Sequence, residues 1–430
     1  MKIPKQINVK TALIFVGISI LLTSLFFYAF AATPSSTFYI SSGVYPGAPS
    51  YTIWKEGANY FAKDVNGMLK YSGTNASQII TNCIANNIHI KIKQDFVGNI
   101  WITNTIVIPS GTKYVTFEGD GHVEAVDVLG GLKLTDGANC DMFAVEAGCH
   151  QIHFVNLGLH GNKAGQTSTS NGIRFTGSIS DCRIERCSIV GFKTHCVYVE
   201  GSLSASYFLN NYLEDSCGDC INAEGLINSV ISNNILWSCR WAIFLNSTTL
   251  ACQDNTIIGN KISHQWYGGS GGGIYIYNST GNDIIGNWID DSMIGIHLVD
   301  SYRGVINGNN IRMSRQHGIW IYHCQYLIVS DNFIVGAGCG TSTPTYDGIY
   351  VAGTGHGTHY CTLSGNMITA VDITNKTRYG INEEGGCDWN IYSNIYATGC
   401  SNKNITITGS NGYILDSYNG TEWISSYSPS

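Results

Sequence analysis

Charge is scarce in this chain: Asp, Glu, Lys and Arg make up 12% of the residues, and the net charge of −7 is spread without runs. A nucleic-acid-binding protein needs a basic face or stripe, so that class is set aside. Proline is rare as well, at 7 residues of 430. Helical periodicity is almost missing, which excludes a helical bundle or a helical repeat. Metal-site spacing is missing too: Cys217-Gly218-Asp219-Cys220 has no second Cys-x-x-Cys pair to complete a zinc site.

What is abundant points one way. Apolar residues are 44% of the chain, Gly numbers 50, and Asn, Ser and Thr are plentiful. That composition fits an all-β protein with a continuous core and many tight turns. The 15 cysteines suit an oxidising exterior, and the odd count leaves at least one unpaired in a monomer.

A short phrase, a small residue followed by an apolar residue and an alternating strand, recurs along the chain. It reads Gly172-Ile173-Arg174-Phe175, Cys196-Val197-Tyr198-Val199, Cys220-Ile221-Asn222-Ala223 and Ala242-Ile243-Phe244-Leu245. It continues as Gly273-Ile274-Tyr275-Ile276, Gly295-Ile296-His297-Leu298, Gly318-Ile319-Trp320-Ile321, Gly348-Ile349-Tyr350-Val351 and Gly380-Ile381-Asn382-Glu383. Most steps are about 22–24 residues, and about 30–32 where a loop is inserted. A second phrase, Asn followed two residues later by an apolar residue, accompanies it at Asn211, Asn234, Asn260, Asn287, Asn309, Asn332, Asn366 and Asn394, with Cys187 in the same slot one coil earlier. Two or three short strands per coil, with positions recurring coil by coil, predict a single-stranded right-handed parallel β-helix, an all-β solenoid. The recurrent Asn should then form an amide ladder, each side chain bonding the next.

The chain order gives the expected domains. Residues 1–32 combine Lys2, Lys5 and Lys10 with an apolar run, the layout of a signal peptide, and Ala29-Phe30-Ala31 offers a cleavage site. The run is also long enough to span a bilayer, so cleaved signal and membrane anchor both stand, and either puts the body outside the cell, secreted or at the surface. Residues 33–72 read as a β-extension or linker. Asn75-Ala76-Ser77-Gln78 looks like a capping box opening the one convincing helix, about 75–87, with Ile79, Ile80, Cys83 and Ile84 as its apolar stripe. The β-helix runs over 73–410 with that helix as its N-terminal cap, and 411–430 is a C-terminal cap or tail.

The phrases Val115-Thr116-Phe117-Glu118-Gly119 and Val155-Asn156-Leu157-Gly158-Leu159-His160-Gly161-Asn162, together with the capping helix, resemble the pectate-lyase-like superfamily. Tyr60-Phe61-Ala62-Lys63-Asp64 through Tyr71-Ser72-Gly73-Thr74 is similar to the leader of secreted archaeal β-helix proteins. The similarity covers roughly residues 50–410. It implies the fold, and a polysaccharide as partner, while leaving the activity open, because this fold hosts lyases, hydrolases, epimerases and adhesins.

Alternation assigns the outward positions. With the apolar residue of the first phrase inward, the next residue points out: Arg174, Tyr198, Asn222, Phe244, Tyr275, His297, Trp320, Tyr350 and Asn382. Two residues on come Thr176, Glu200, Glu224, Asn246, Tyr277, Val299, Tyr322, Ala352 and Glu384. Aromatics in line suit a glycan-binding surface, and Tyr198, Asn222, Phe244, Tyr275, Tyr277, His297, Trp320, Tyr322 and Tyr350 are the candidate substrate-binding residues. They could equally stack on one another for stability.

The polar end of this face supplies the candidate catalytic residues Arg174, His195, Glu200, Asp219 and Glu224, with Asn171 and Arg240 close by. Glu200 and Glu224 hold equivalent slots in adjacent coils, so their backbones should lie about 4.8 Å apart. Two carboxylates that close repel or share a cation, for which Ca2+ is the candidate. A carboxyl gap of about 5 Å would suit a retaining glycosidase. A lyase would instead use a base together with Arg174 to neutralise a uronate. The resemblance allows a sharper comparison with polygalacturonases, whose acids precede this strand on successive coils. Here those coils read Ser170-Asn171-Gly172-Ile173, Thr194-His195-Cys196-Val197 and Gly218-Asp219-Cys220-Ile221, so Asn171, Thr194 and His195 stand where the first two motifs keep carboxylates. A Gly355-His356-Gly357 occurs many coils away. That argues against polygalacturonase chemistry. The first function is an extracellular protein acting on acidic polysaccharide, and the alternative is a non-catalytic surface protein that binds glycans. Among the cysteines, Cys196 stacks on Cys220 and Cys217 on Cys239, both within disulfide reach.

Overall fold

The structure, a computed structural model, describes residues 48–93, 99–120, 131–265, 269–340, 343–353, 357–370, 377–408, 413–418 and 423–427. The expected leader, residues 1–32, lies outside them. Among the described residues no helix is long and apolar enough to cross a membrane.

The chain winds into a parallel β-helix. Strands β1 (Tyr51–Glu56), β2 (Asn59–Asp64) and β3 (Leu69–Gly73) form an antiparallel ribbon. β1 also pairs in parallel with Ile88–Ile92, so this ribbon is joined to the coils by hydrogen bonds and is no free linker. Helix α1 (Ala76–Asn82) follows and is shorter than the sequence pattern suggested. Asn75 caps it by accepting from the Gln78 backbone N–H, while the Gln78 side chain bonds Asn82 and does not return to the cap. Its Ile79, Ile80 and Cys83 are buried against the first coils. At the other end Tyr413–Tyr418 and Trp423–Tyr427 pair antiparallel and finish the sheet.

One parallel sheet of 12 strands carries the first phrase, from Ile106–Ile108 to Lys403–Ile407. The remaining strands join a second system, in which two long ladders give each coil two further strands. Apolar residues of equal register stack inside: Ile243, Ile274, Ile296, Ile319, Ile349 and Ile381 are adjacent rungs, and all are fully buried. The small residue of the phrase has a steric reason. A Cβ at Gly295 would stand 2.3 Å from the Gly318 carbonyl oxygen, and one at Gly348 2.6 Å from that of Gly380.

The amide ladder forms as expected. Asn234 Oδ1 accepts from the Asn211 backbone N–H and side-chain amide, both at 2.9 Å, and Asn260 does the same for Asn234. The chain of bonds continues through Asn287, Asn309 and Asn332 to Asn366. Cys187 does occupy the slot before it, its N–H donating to Asn211. Asn394 does not extend the ladder: Tyr396 pairs with Met367, so the slot belongs to the buried Ile395, and Asn394 sits at a left-handed corner. A second, shorter ladder links Ser229, Asn255 and Asn282 on a neighbouring turn. The disulfide joins Cys220 to Cys239, with Cα atoms 5.8 Å apart, so neither of the two stacked pairs is the one that bonds.

Candidate functional site

The outward row of the 12-stranded sheet has the register the repeat predicts. Arg174, Tyr198, Asn222, Phe244, Tyr275, His297, Trp320, Tyr350 and Asn382 are paired rung to rung without a break. In the second row Tyr277, Val299, Tyr322 and Ala352 likewise stack. Ala352 is nevertheless buried, as is Asn222.

The polar end is a chain of charge-assisted hydrogen bonds across successive coils. Asp141 Oδ1 accepts from the Asn171 backbone and side chain at 2.9 and 2.7 Å, and its Oδ2 pairs with Arg174 at 3.2 Å. The Arg174 guanidinium reaches in the other direction to Glu200, Nε at 2.9 Å and Nη2 at 2.5 Å. These carboxylates hold the Arg174 pKa above its usual range against the opposing effect of burial. Glu200 is therefore held by a guanidinium, and Glu224 instead accepts from the Tyr198 hydroxyl at 2.8 Å. Each carboxylate has its own protein partner, so the expected repelling or cation-sharing pair is replaced by an ion pair and a Tyr–Glu pair. Burial and the Glu224 carboxylate together push the Tyr198 phenol well above its ordinary pKa, keeping it protonated.

Asp219 is fully buried. Its carboxylate accepts from Arg240 Nε at 2.9 Å and Nη2 at 2.8 Å, from the Trp241 backbone at 3.1 Å, and from Asn222 Nδ2 at 2.6 Å. Four donors leave it no capacity to act as a base. Asn222 faces Asp219 where the repeat had it facing a ligand. His195 Nδ1 accepts the Asp219 backbone N–H at 3.0 Å, so in the neutral ring the proton sits on Nε2. Burial lowers the His195 pKa and favours that neutral form. Its ring lies 5.2 Å from that of Tyr198. Arg240 extends over the Phe244 ring at 5.3 Å.

The aromatic row packs mainly on itself. Phe244 and Tyr275 stack at 4.8 Å, His297 and Trp320 stack at 4.3 Å, and Tyr275 meets His297 edge-on at 5.1 Å. Trp241, from the slot three residues ahead of the row, packs on Tyr275 at 5.2 Å. Ring faces in these pairs cover each other, so edges and polar tips are what this stretch offers. Tyr350 stacks on His317 at 4.5 Å and its hydroxyl donates to Glu384.

The sequence did not single out His317, Asp347 or Arg378, and it placed Glu384 on the outward face without a role; the fold gathers all four at the far end of the row. The signal was there: His317-Gly318-Ile319 and Asp347-Gly348-Ile349 repeat the order of His195-Cys196-Val197 and Asp219-Cys220-Ile221. Of the loops beside the face, those near 265–272 and 338–347 lie partly outside the described residues, and so do Gly355 and His356.

Comparison with known proteins agrees with this architecture. A family model described as "Right handed beta helix region" matches residues 229–384, and one described as "Periplasmic copper-binding protein (NosD)" matches residues 136–301. No curated protein matches the chain. Among solved structures, the A-module of the Azotobacter vinelandii mannuronan C-5 epimerase AlgE6 aligns at 16% identity over 80% of this chain and 95% of that one, TM-score 0.58. The AlgE4 A-module of the same organism aligns at 17% over 79% and 96%, TM-score 0.56. The Dettilon tailspike protein aligns at 18% over 79% and 64%, TM-score 0.56. The copper named in the second family model finds no fitting donor set among the described residues. Among the described residues no group of three or more His, Cys, Asp or Glu is placed to hold a metal ion. Burial also pushes the thiols of Cys187 and Cys196 up to about 12, away from the thiolate a soft metal requires. Coil geometry, family models and structural neighbours converge on one fold: the chain is a right-handed parallel β-helix.

Proposed function

We propose that this chain is an exported protein that binds an acidic polysaccharide along the 12-stranded sheet and cleaves it by proton transfer, as a lyase does. The observation that carries the reading is the Tyr198–Glu224 pair, set on consecutive coils between the guanidinia of Arg174 and Arg240. Loss of the proton beside a uronate carboxylate builds negative charge, which a fixed guanidinium stabilises. Glu224 takes that proton, the C–H electrons form the new double bond, and the glycosidic C–O bond breaks. The departing oxygen takes the Tyr198 proton, and Glu224 returns its own proton to the phenolate. Glycosidase chemistry is less well supported, because Glu200 is engaged by Arg174 and leaves Glu224 without a free carboxylate partner.

The test is a panel of uronate polysaccharides scored for unsaturated, ultraviolet-absorbing chain ends. Tyr198→Phe and Glu224→Gln should each lower turnover by about 10²–10⁴-fold while binding persists. Folded wild-type protein that binds but yields no such ends from any acidic glycan would sink the lyase reading. A second reading, a non-catalytic surface protein that binds glycans, is favoured by the pairing of Glu200 and Asp219 with Arg side chains. It expects binding without products, weakened by Trp320→Ala and Tyr275→Ala.

A further inference from the structure

The slot three residues ahead of the outward row does not require charge. At Gly272 and Ile294, which pair with each other, the coil closes with no ionisable group. Yet the slot carries His195 then Asp219 on one pair of coils, and His317 then Asp347 on another. In both cases an Arg follows on the third coil, one residue before an aromatic that takes the slot itself: Arg240 before Trp241, Arg378 before Tyr379.

The two groups share their bonding pattern. Asp347 is fully buried, like Asp219. It accepts from Arg378 Nε at 2.8 Å and Nη2 at 2.6 Å, from the Tyr379 backbone at 3.2 Å, and from Asn382 Nδ2 at 3.2 Å. Its own N–H donates to His317 Nδ1 at 3.1 Å, matching the 3.0 Å bond from Asp219 to His195. Each guanidinium spends Nε and Nη2 on the Asp and lies over an aromatic ring, Arg240 on Phe244 and Arg378 on Tyr379 at 5.1 Å. Both remain open to solvent, with 40% and 29% of the side chain exposed. A buried carboxylate contributes little net stability to a coil that closes without one. What it does achieve is to fix an otherwise flexible guanidinium in one place, with the remaining amino group available to an anion.

From the Phe244 coil to the Asn382 coil is five rungs of one ladder. At about 4.8 Å per rung the two guanidinia stand roughly 24 Å apart along the helix axis, with the aromatic row between them. From this duplication we infer that Arg240 and Arg378 are two equivalent anion-binding sites that hold one linear polyanionic oligosaccharide parallel to the axis. The inference rests on the acidic-glycan reading above and adds the second site, the direction of the chain and a minimum ligand length. The recognised chemistry is a carboxylate or sulfate borne at intervals on a sugar chain.

Calorimetric titration of the wild-type protein with oligouronates of graded length tests it, with sulfated oligosaccharides of matched length as a second arm. Short oligomers should bind two per chain. Above the length that spans five coils, one should bind per chain with a gain of about 10²–10⁴-fold, since the second contact becomes intramolecular. The arm that shows the gain names the anion. Arg378→Gln should return long oligomers to the affinity of short ones and reduce the short-oligomer stoichiometry to one. The stoichiometry of the wild type needs no variant to fold. Affinity independent of length, one short oligomer per wild-type chain, or a folded Arg378→Gln that keeps the full gain would each overturn the inference while leaving acidic-glycan binding standing. Absence of binding in both arms would overturn both.

Discussion

Replacing Arg378 by Gln removes the cation from a carboxylate that has no access to water. In the wild type, burial pushes the Asp347 carboxyl up and Arg378 pulls it only part of the way back, so it stays above the usual carboxylate value. Without Arg378 only the Tyr379 N–H and the Asn382 amide remain as donors to the carboxylate. Breaking a buried pair from one side typically costs about 3–5 kcal/mol, and Asp347 is the fully buried partner, so a loss of about 3 kcal/mol is expected at pH 8. The sign with pH follows from linkage. A carboxyl whose folded-state pKa lies above its unfolded value binds more protons folded than unfolded, so stability falls as pH rises through that folded pKa. Protonation on the acid side relieves the unpaired charge, worth about 1.4 kcal/mol per pH unit between the two pKa values. Urea unfolding of variant and wild type at pH 8 and pH 5 reads the difference directly. The variant's deficit should shrink at pH 5. A deficit that is equal at both pH values, or larger at pH 5, would refute the claim that an unpaired buried carboxylate causes it.

Two other outcomes follow from the same buried polar groups. Asn260→Ala removes four ladder bonds, two donated to Ile231 O and Asn287 Oδ1 and two accepted from Asn234, at a fully buried site. At about 1 kcal/mol per bond, the urea midpoint should report a loss of about 4 kcal/mol, and a loss below about 1 kcal/mol would show the ladder to be energetically idle. His317 is held down to about 3, chiefly by burial and further by Arg378. It stays neutral in the fold while the unfolded ring gains a proton near 6.5, so stability is complete above about pH 6.5 and declines as pH falls, by about 1.4 kcal/mol per unit. His317→Gln keeps an acceptor for the Asp347 N–H without titrating, and should flatten the decline between pH 7.5 and pH 5. An unchanged slope would remove His317 from that account.

How far the sequence reached depended on which property was asked of it. The repeat phrase was sufficient to place every rung of the outward row, because strand alternation and inter-coil pairing leave a residue no choice of face once its register is set. The amide ladder was legible for the same reason, until Asn394, where the strand start shifts by one residue and Ile395 takes the slot. Side-chain direction beyond Cβ was not legible. Asn222 lies on the outward row, yet its amide turns to Asp219, and the rings of Phe244, Tyr275, His297 and Trp320 turn toward one another. Partner choice among charges was not legible either: Arg240 reaches back one coil to Asp219, and Arg174 bridges Asp141 and Glu200, from coils on either side of it. The second His–Asp–Arg group was hidden by the long steps between His317, Asp347 and Arg378, where inserted loops break the spacing that makes a repeat visible. By itself, then, the sequence determined the coil, its register and its outward face, since those depend on period alone. Only the tertiary structure decided which ionisable groups meet, because that depends on side chains from different coils competing for the same few donors and acceptors.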